Sequence, residues 1–152
     1  MANDRITYKL VHGNTDKVIL QKILAAYSLI FEDSDSSFFK GRFDEHPQIT
    51  SVLAFNKDEL IGFKIGYPYD NITFYSWVGG VLPNYRQQGI ANELAEQQEL
   101  AAKSQGFKKL RTKSMNDFKP MIILNLKRGF DINKVYTNVK GQTKIIFEKK
   151  LK

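Results

Sequence analysis

The chain has no cysteine and only two histidines among 152 residues. Disulfides, thiolate nucleophiles and thiolate metal sites are therefore excluded, and no histidine-rich metal centre is expected. No run of ~18 apolar residues occurs, so no transmembrane helix is expected. The opening Met1-Ala2-Asn3-Asp4-Arg5 lacks a basic stretch followed by an apolar run, so it does not read as a secretory signal. A cytoplasmic location is the remaining expectation. Internal repeats and low-complexity tracts are absent as well. What is present suffices for a core: 42% of residues are hydrophobic and 12% aromatic, which rules out wholesale disorder. The length suits one domain of about 100–150 residues, so a single domain over 1–152 is expected.

Charge is distributed unevenly. Residues 1–102 hold 9 basic and 13 acidic residues, and residues 103–152 hold 14 basic and 3 acidic. A basic half suits an anionic partner, although a solvated lysine-rich surface has the same composition. Nucleic acid is the weaker choice of partner, because the aromatics do not recur among the basic residues as stacking platforms.

Periodicity supplies the elements. Ile6, Tyr8 and Leu10 alternate with polar residues as in a strand. Thr15-Asp16 can cap a helix starting near Lys17, where Leu20, Ile23, Leu24 and Tyr27 recur at helical spacing. Residues 31–43 are acidic, serine-rich and aromatic, and read as a loop with one short helix. Strands follow at 49–56, 60–67 and 72–82, the last carrying Gly79-Gly80, a mark of a bulge or of close backbone approach. A helix at 89–105 places Ala91, Leu94, Ala95, Ala101 and Ala102 on one face, interrupted by Gln98. A strand at 109–114, a helix at 117–128 with Pro120 in its first turn, and strands at 130–137 and 143–151 complete the chain. Strand–helix–strand units of this length imply parallel pairing with right-handed crossovers. The expected fold is α/β: a central mixed sheet of six to seven strands with helices on both faces.

The segment Val81-Leu82-Pro83-Asn84-Tyr85-Arg86-Gln87-Gln88-Gly89-Ile90-Ala91 joins a strand to a helix N-terminus. Such a junction offers backbone N–H groups and the positive end of the helix dipole to an anion. Gly89 and Ala91 are small enough for close approach, and Arg86 adds a positive charge. That arrangement suits a pyrophosphate. It is neither a Walker A loop nor a dinucleotide fingerprint, since G-x-x-x-x-G-K-[ST] and G-x-G-x-x-G are both absent.

This stretch resembles the acyl-CoA-binding signature R/Q-x-x-G-x-G/A of the GNAT superfamily of N-acetyltransferases, with Arg86, Gly89 and Ala91 in its fixed positions. The context fits too: Val81-Leu82-Pro83 before the arginine, a long amphipathic helix after it, then a strand, Asn116, a helix and Gly129-Phe130. The resemblance is sharp over about residues 72–131. It implies a GNAT-like fold in which the strands at 72–82 and 109–114 splay apart to form the acyl-CoA cleft. It also implies acetyl-CoA as co-substrate, no metal, and direct attack by an acceptor amine. The backbone of Gln87, Gln88, Gly89, Ile90 and Ala91 would hold the pyrophosphate. Gly79 and Val81 would pair with the pantetheine arm, an amide near Val81 would polarise the thioester carbonyl, and Asn116 would contact the pantetheine. Asn116 also suits a helix cap.

The resemblance leaves the catalytic residues unassigned. Many members place a tyrosine, the proposed acid, where this chain has Asn125, and an amide is a poor proton donor. Some carry a glutamate base where this chain has Tyr75, a weak base with pKa ~10. The segment expected to line the acceptor pocket holds Glu32, Asp33, Asp35, Asp44 and Glu45 among Phe31, Phe38, Phe39 and Phe43. That composition points to a small cationic amine or a peptide amine, with cation–π help, or to an acidic loop over an aromatic core. Lys119, Lys127 and Arg128 are candidates for attracting CoA phosphates. A non-catalytic acyl-CoA-binding module and a basic nucleic-acid-binding domain are the alternatives. Dimers are common in the family, so a homodimer is compatible with the resemblance, but the residues mark no interface.

Overall fold

The computed structural model describes residues 6–152, so the N-terminal pentapeptide lies outside the described residues. The elements are β1 (Ile6–His12), α1 (Lys17–Ile30), α2 (Ser36–Asp44), β2 (Thr50–Asn56), β3 (Glu59–Pro68), β4 (Thr73–Val81), α3 (Ile90–Ser104), β5 (Lys109–Met115), α4 (Lys119–Lys127), β6 (Asp131–Thr137) and β7 (Thr143–Lys150). The strands form a seven-stranded mixed sheet in the order β1-β2-β3-β4-β5-β7-β6. No described helix is long and apolar enough to cross a membrane. Two compact units divide the chain, one holding residues up to 67 together with 78–98, the other 68–77 and 99–152.

In the first unit, β1, β2 and β3 form an antiparallel meander. Asp16 caps α1 as its position suggests, its carboxylate accepting from the Ile19 N–H at 2.8 Å. Asp16→Ala is expected to cost about 1 kcal/mol, read as a lower urea midpoint with an unchanged denaturant slope. The segment at 31–43 carries the short helix expected of it. Asp35 accepts from the Phe38 N–H at 3.0 Å and starts α2, a nine-residue helix. The reason is packing: Phe39 and Phe43 are 1% exposed. Phe39 meets Tyr27 at 4.6 Å and the edge of Phe63 at 6.4 Å between centroids. These rings therefore belong to the core, while Phe38 stays exposed.

The second unit pairs β4 with β5 in parallel from Thr73↔Lys109 to Ser76↔Thr112, and β4 continues beyond that register to Val81. β5, β7 and β6 pair antiparallel. Phe74, Ala102, Leu110, Phe130, Ile145 and Phe147 form its core. Gly129, at φ 89°, ends α4, and the Phe130 N–H returns to the Asn125 carbonyl at 3.0 Å, which seats Phe130 in that core. The helix itself starts later than its sequence suggests. Its N-cap is Phe118, with Pro120 in the first turn, so Asn116 does not cap it. The Asn116 N–H instead donates to the Thr143 carbonyl at 3.1 Å, holding the residue in the sheet margin.

Asp70 closes the turn before β4. Its Oδ1 accepts from the N–H groups of Ile72 at 3.0 Å and Thr73 at 2.7 Å. The bond from Ile72 leads in holding its carboxyl below the ordinary value of 3.8. A depressed carboxylate contributes stability above its unfolded pKa and loses it as pH falls through the folded value. Asp70→Asn is therefore expected to be less stable than the parent at pH ~7, with the gap closing as pH falls below about 4. Urea midpoints for both proteins across that range check this.

Candidate functional site

The loop between β4 and α3 is built from the strand end upward. Leu82 donates to the Ile61 carbonyl at 2.8 Å, so the strand stays tied to β3 as it leaves the sheet. Pro83 then opens a short 3-10 turn, closed by Tyr85 N–H to the Leu82 carbonyl at 2.9 Å. The Tyr85 hydroxyl accepts from Asn56 Nδ2 at 2.8 Å and donates to Glu59 Oε1 at 3.1 Å, which pins the turn to the β2–β3 hairpin. Nothing in the sequence pattern marked that clamp, because Tyr85 lies 29 and 26 residues from its two partners.

Two residues then turn the backbone into the helix. Gln87 has φ 62° and Gly89 has φ 80°. The first is a left-handed conformation that a side-chain-bearing residue adopts at a cost. Space around the second is open: a Cβ added at Gly89 would have no heavy atom within 4 Å. Glu93 N–H donates to the Gly89 carbonyl at 3.1 Å, so Gly89 stands immediately before α3. The first-turn N–H groups of Ile90 and Ala91 have no intrahelical acceptor by the geometry of a helix start. Buried Ile90, Leu94 and Ala95 anchor the helix below them. Arg86 donates from Nε to the Val81 carbonyl at 3.1 Å, which holds its positive charge beside the turn. The turn thus brings the Arg86 charge and the free N–H groups of the α3 start to one place.

The glycine pair of β4 is explained by close approach. A Cβ on Gly79 would lie 3.1 Å from the Phe63 carbonyl oxygen, and one on Gly80 would lie 2.8 Å from Ile30 Cγ2. Gly79, Val81, Arg86, Gln87, Gln88, Gly89, Ile90 and Ala91 thus fall on one continuous strand–turn–helix of the first unit. Asn116 belongs to the second unit, exposed at the end of β5.

Other candidates fare differently. Asn125 is buried, and Tyr75 is half-buried with its ring 6.5 Å from that of Tyr69. Burial, and then the Glu93 carboxylate, push the Tyr8 phenol above its ordinary value of 10.0. Arg128 is paired with Glu99 at 3.1 Å. Lys119 turns back to the Asn116 carbonyl. Among the described residues, no group of three or more His, Asp or Glu side chains could hold a metal ion.

The family model described as acetyltransferase (GNAT) family matches residues 19–130. No curated protein matches the chain. Solved structures do. One is a GNAT family acetyltransferase from Elizabethkingia anophelis with acetyl-CoA bound, with 22% identity, TM-score 0.76, and coverage of 97% of this chain and 99% of that one. Another is the ribosomal-protein-S18-alanine N-acetyltransferase of Escherichia coli, with 14% identity, TM-score 0.80, and coverage of 95% and 94%. A third is Arabidopsis thaliana NAA60 in complex with acetyl-CoA, with 18% identity, TM-score 0.78, and coverage of 96% and 98%. At these identities the likeness is one of fold.

Proposed function

This chain belongs to the acetyltransferase (GNAT) family, and from that premise we propose that it transfers an acetyl group from acetyl-CoA to a primary amine of a small molecule or peptide. The observation that carries the reading is the strand–turn–helix at 79–91, with Gly89 at φ 80° in open space and Arg86 held beside it. The cradle fits a pyrophosphate by shape and by charge. Backbone N–H groups at the start of α3 would bind it, and Arg86 would offset its charge. The end of β4, from Gly79 to Val81, would align an extended pantetheine arm by main-chain hydrogen bonds.

Acetyl-CoA supplies an activated thioester. The amine nitrogen forms the new C–N bond, the C–S bond breaks, the sulfur leaves as thiolate, and the amine gives up one proton to water. An N–H near Val81 would stabilise the charge that develops on the carbonyl oxygen. Asn116 would contact the pantetheine. A thiolate is a serviceable leaving group near neutral pH, so a chain with Asn125 in place of a tyrosine acid can still turn over. The reading treats 1–152 as one acetyltransferase domain working in the cytoplasm.

Thermal unfolding with acetyl-CoA, compared with ATP and NAD, tests the co-substrate. At ~100 times its dissociation constant a ligand adds ~2.7 kcal/mol. That is expected to raise Tm by about 5–10 °C in a domain of this size, with acetyl-CoA alone. Thiol release across a panel of amines then separates an enzyme from a binding module. A shift without turnover on any amine makes it a binding module. No shift at all removes the reading.

A further inference from the structure

One face of the β5–β7–β6 sheet collects positive charge that the sequence had scattered. Register places Lys113 and Lys134 on either side of Ile146, and Met115 and Tyr136 on either side of Lys144. The ammonium of Lys134 lies 5.5 Å from the Tyr136 ring centroid and that of Lys113 lies 5.9 Å from it. Lys144 Nζ sits 3.5 Å from Met115 Sδ. The carboxylates of this face are Glu148 in β7 and, opposite it, Asp131 in β6; Glu148 is taken up by Arg111 at 2.7 Å, Lys109 at 3.6 Å and Asn133 Nδ2 at 3.3 Å. Among the described residues, Lys113, Lys134 and Lys144 make no ion pair.

β6 is also a sheet edge. Among the described residues it pairs with β7 alone. Its Ile132 and Val135 pair with buried Phe147 and Ile145, so they continue the core face outward, yet they remain 53% and 56% exposed. The edge thus presents an apolar row on one face and, past Asp131, Lys134 and Tyr136 with Lys113 and Lys144 behind them on the other. We infer that β6 is a docking edge for an extended segment of another protein in which acidic and apolar residues alternate. Such a segment would add a strand by main-chain hydrogen bonds. Its apolar side chains would cover Ile132 and Val135, and its carboxylates would meet Lys134, Lys113 and the Tyr136 hydroxyl.

Charge argues against two other occupants. A second copy pairing through β6 would set Lys134 of one chain on the same face as Lys134 of the other, a like-charge arrangement that disfavours self-pairing. Unpaired bases would stack on an aromatic face, and the ring of Tyr136 already has two ammonium groups over it. The inference is independent of acetyl transfer.

The test uses the full chain and a capped peptide of alternating valine and glutamate, labelled for anisotropy, with amide hydrogen exchange read over 134–137. Binding of this peptide, with slowed exchange in β6, is expected. Lys134→Glu is expected to weaken it about tenfold and to shift preference to an alternating valine–lysine peptide. Both effects should diminish at high salt. Lys113→Glu, two strands away, serves as a second variant and should weaken binding in the same direction. The inference is overturned if no binding occurs at millimolar peptide, or if the lysine peptide binds the parent equally well. It is also overturned if single-stranded DNA of the same length displaces the acidic peptide, or if sedimentation shows self-association that Lys134→Glu relieves.

Discussion

Gly89→Val is expected to remove the stabilisation by acetyl-CoA while the protein still folds. Valine at φ 80° is forced into a region that β-branched residues almost never occupy. The strain is about 1–3 kcal/mol if the backbone holds, and the backbone can escape it by leaving the left-handed region. Either response harms the cradle, because the turn at 87–89 aims the first N–H groups of α3. The added side chain also stands in the open space where an anion would sit. The parent should gain about 5–10 °C with saturating ligand, and Gly89→Val should gain nothing measurable. Gly89→Ala, which adds one methyl in the same strained backbone, should fall between them. A Gly89→Val protein that keeps the full ligand shift would mean that acetyl-CoA binds elsewhere.

Glu99→Ala should produce the largest loss of intrinsic stability outside the apolar core. Glu99 bridges Arg128 at 3.1 Å and Lys149 at 2.9 Å. Lys149 also donates to the Arg128 carbonyl at 2.5 Å, beyond the last turn of α4. These side chains are 12–21% exposed, so neither cation is free to relax fully into water. Removing one partner of a buried pair costs about 3–5 kcal/mol, and partial exposure reduces this to about 2–4 here. For this chain length that lowers Tm by about 6–12 °C. Glu99→Gln keeps a hydrogen-bond acceptor and should lose less. Replacing Arg128 and Lys149 with methionine in the Glu99→Ala background should recover part of the loss, since two stranded charges go with them. An effect below ~0.5 kcal/mol would place the trio among ordinary surface pairs.

Much of the fold was legible because the periods were clean. Alternation gave the strands, the spacing of Leu20, Ile23, Leu24 and Tyr27 gave α1, and Gly129 marked the end of α4. Residues 31–43 read as a loop with one short helix, and α2 is that helix, held by burial of Phe39 and Phe43 although serine and aspartate outnumber strong helix formers there. Asn116 looked like a helix cap because asparagine is good at it. The chain needed its N–H for the β7 edge at Thr143, and the helix started three residues later.

The candidate site divides along the same line. The sequence by itself placed small residues at Gly89 and Ala91, an arginine three residues earlier and a helix start beside them, and all of these are local facts. What tertiary structure decided was every pairing between distant residues. It clamped Tyr85 to Asn56 and Glu59, paired Arg128 with Glu99, and put Phe39 and Phe43 in the core, one of the two places the sequence left open for them. It also gathered Lys113, Lys134 and Lys144 around Tyr136 and Ile146, although composition had shown only a basic half. Turn dihedrals depend on neighbours in the chain, whereas ion pairs, burial, surface charge and the start of α4 depend on strand register, which no local pattern encodes.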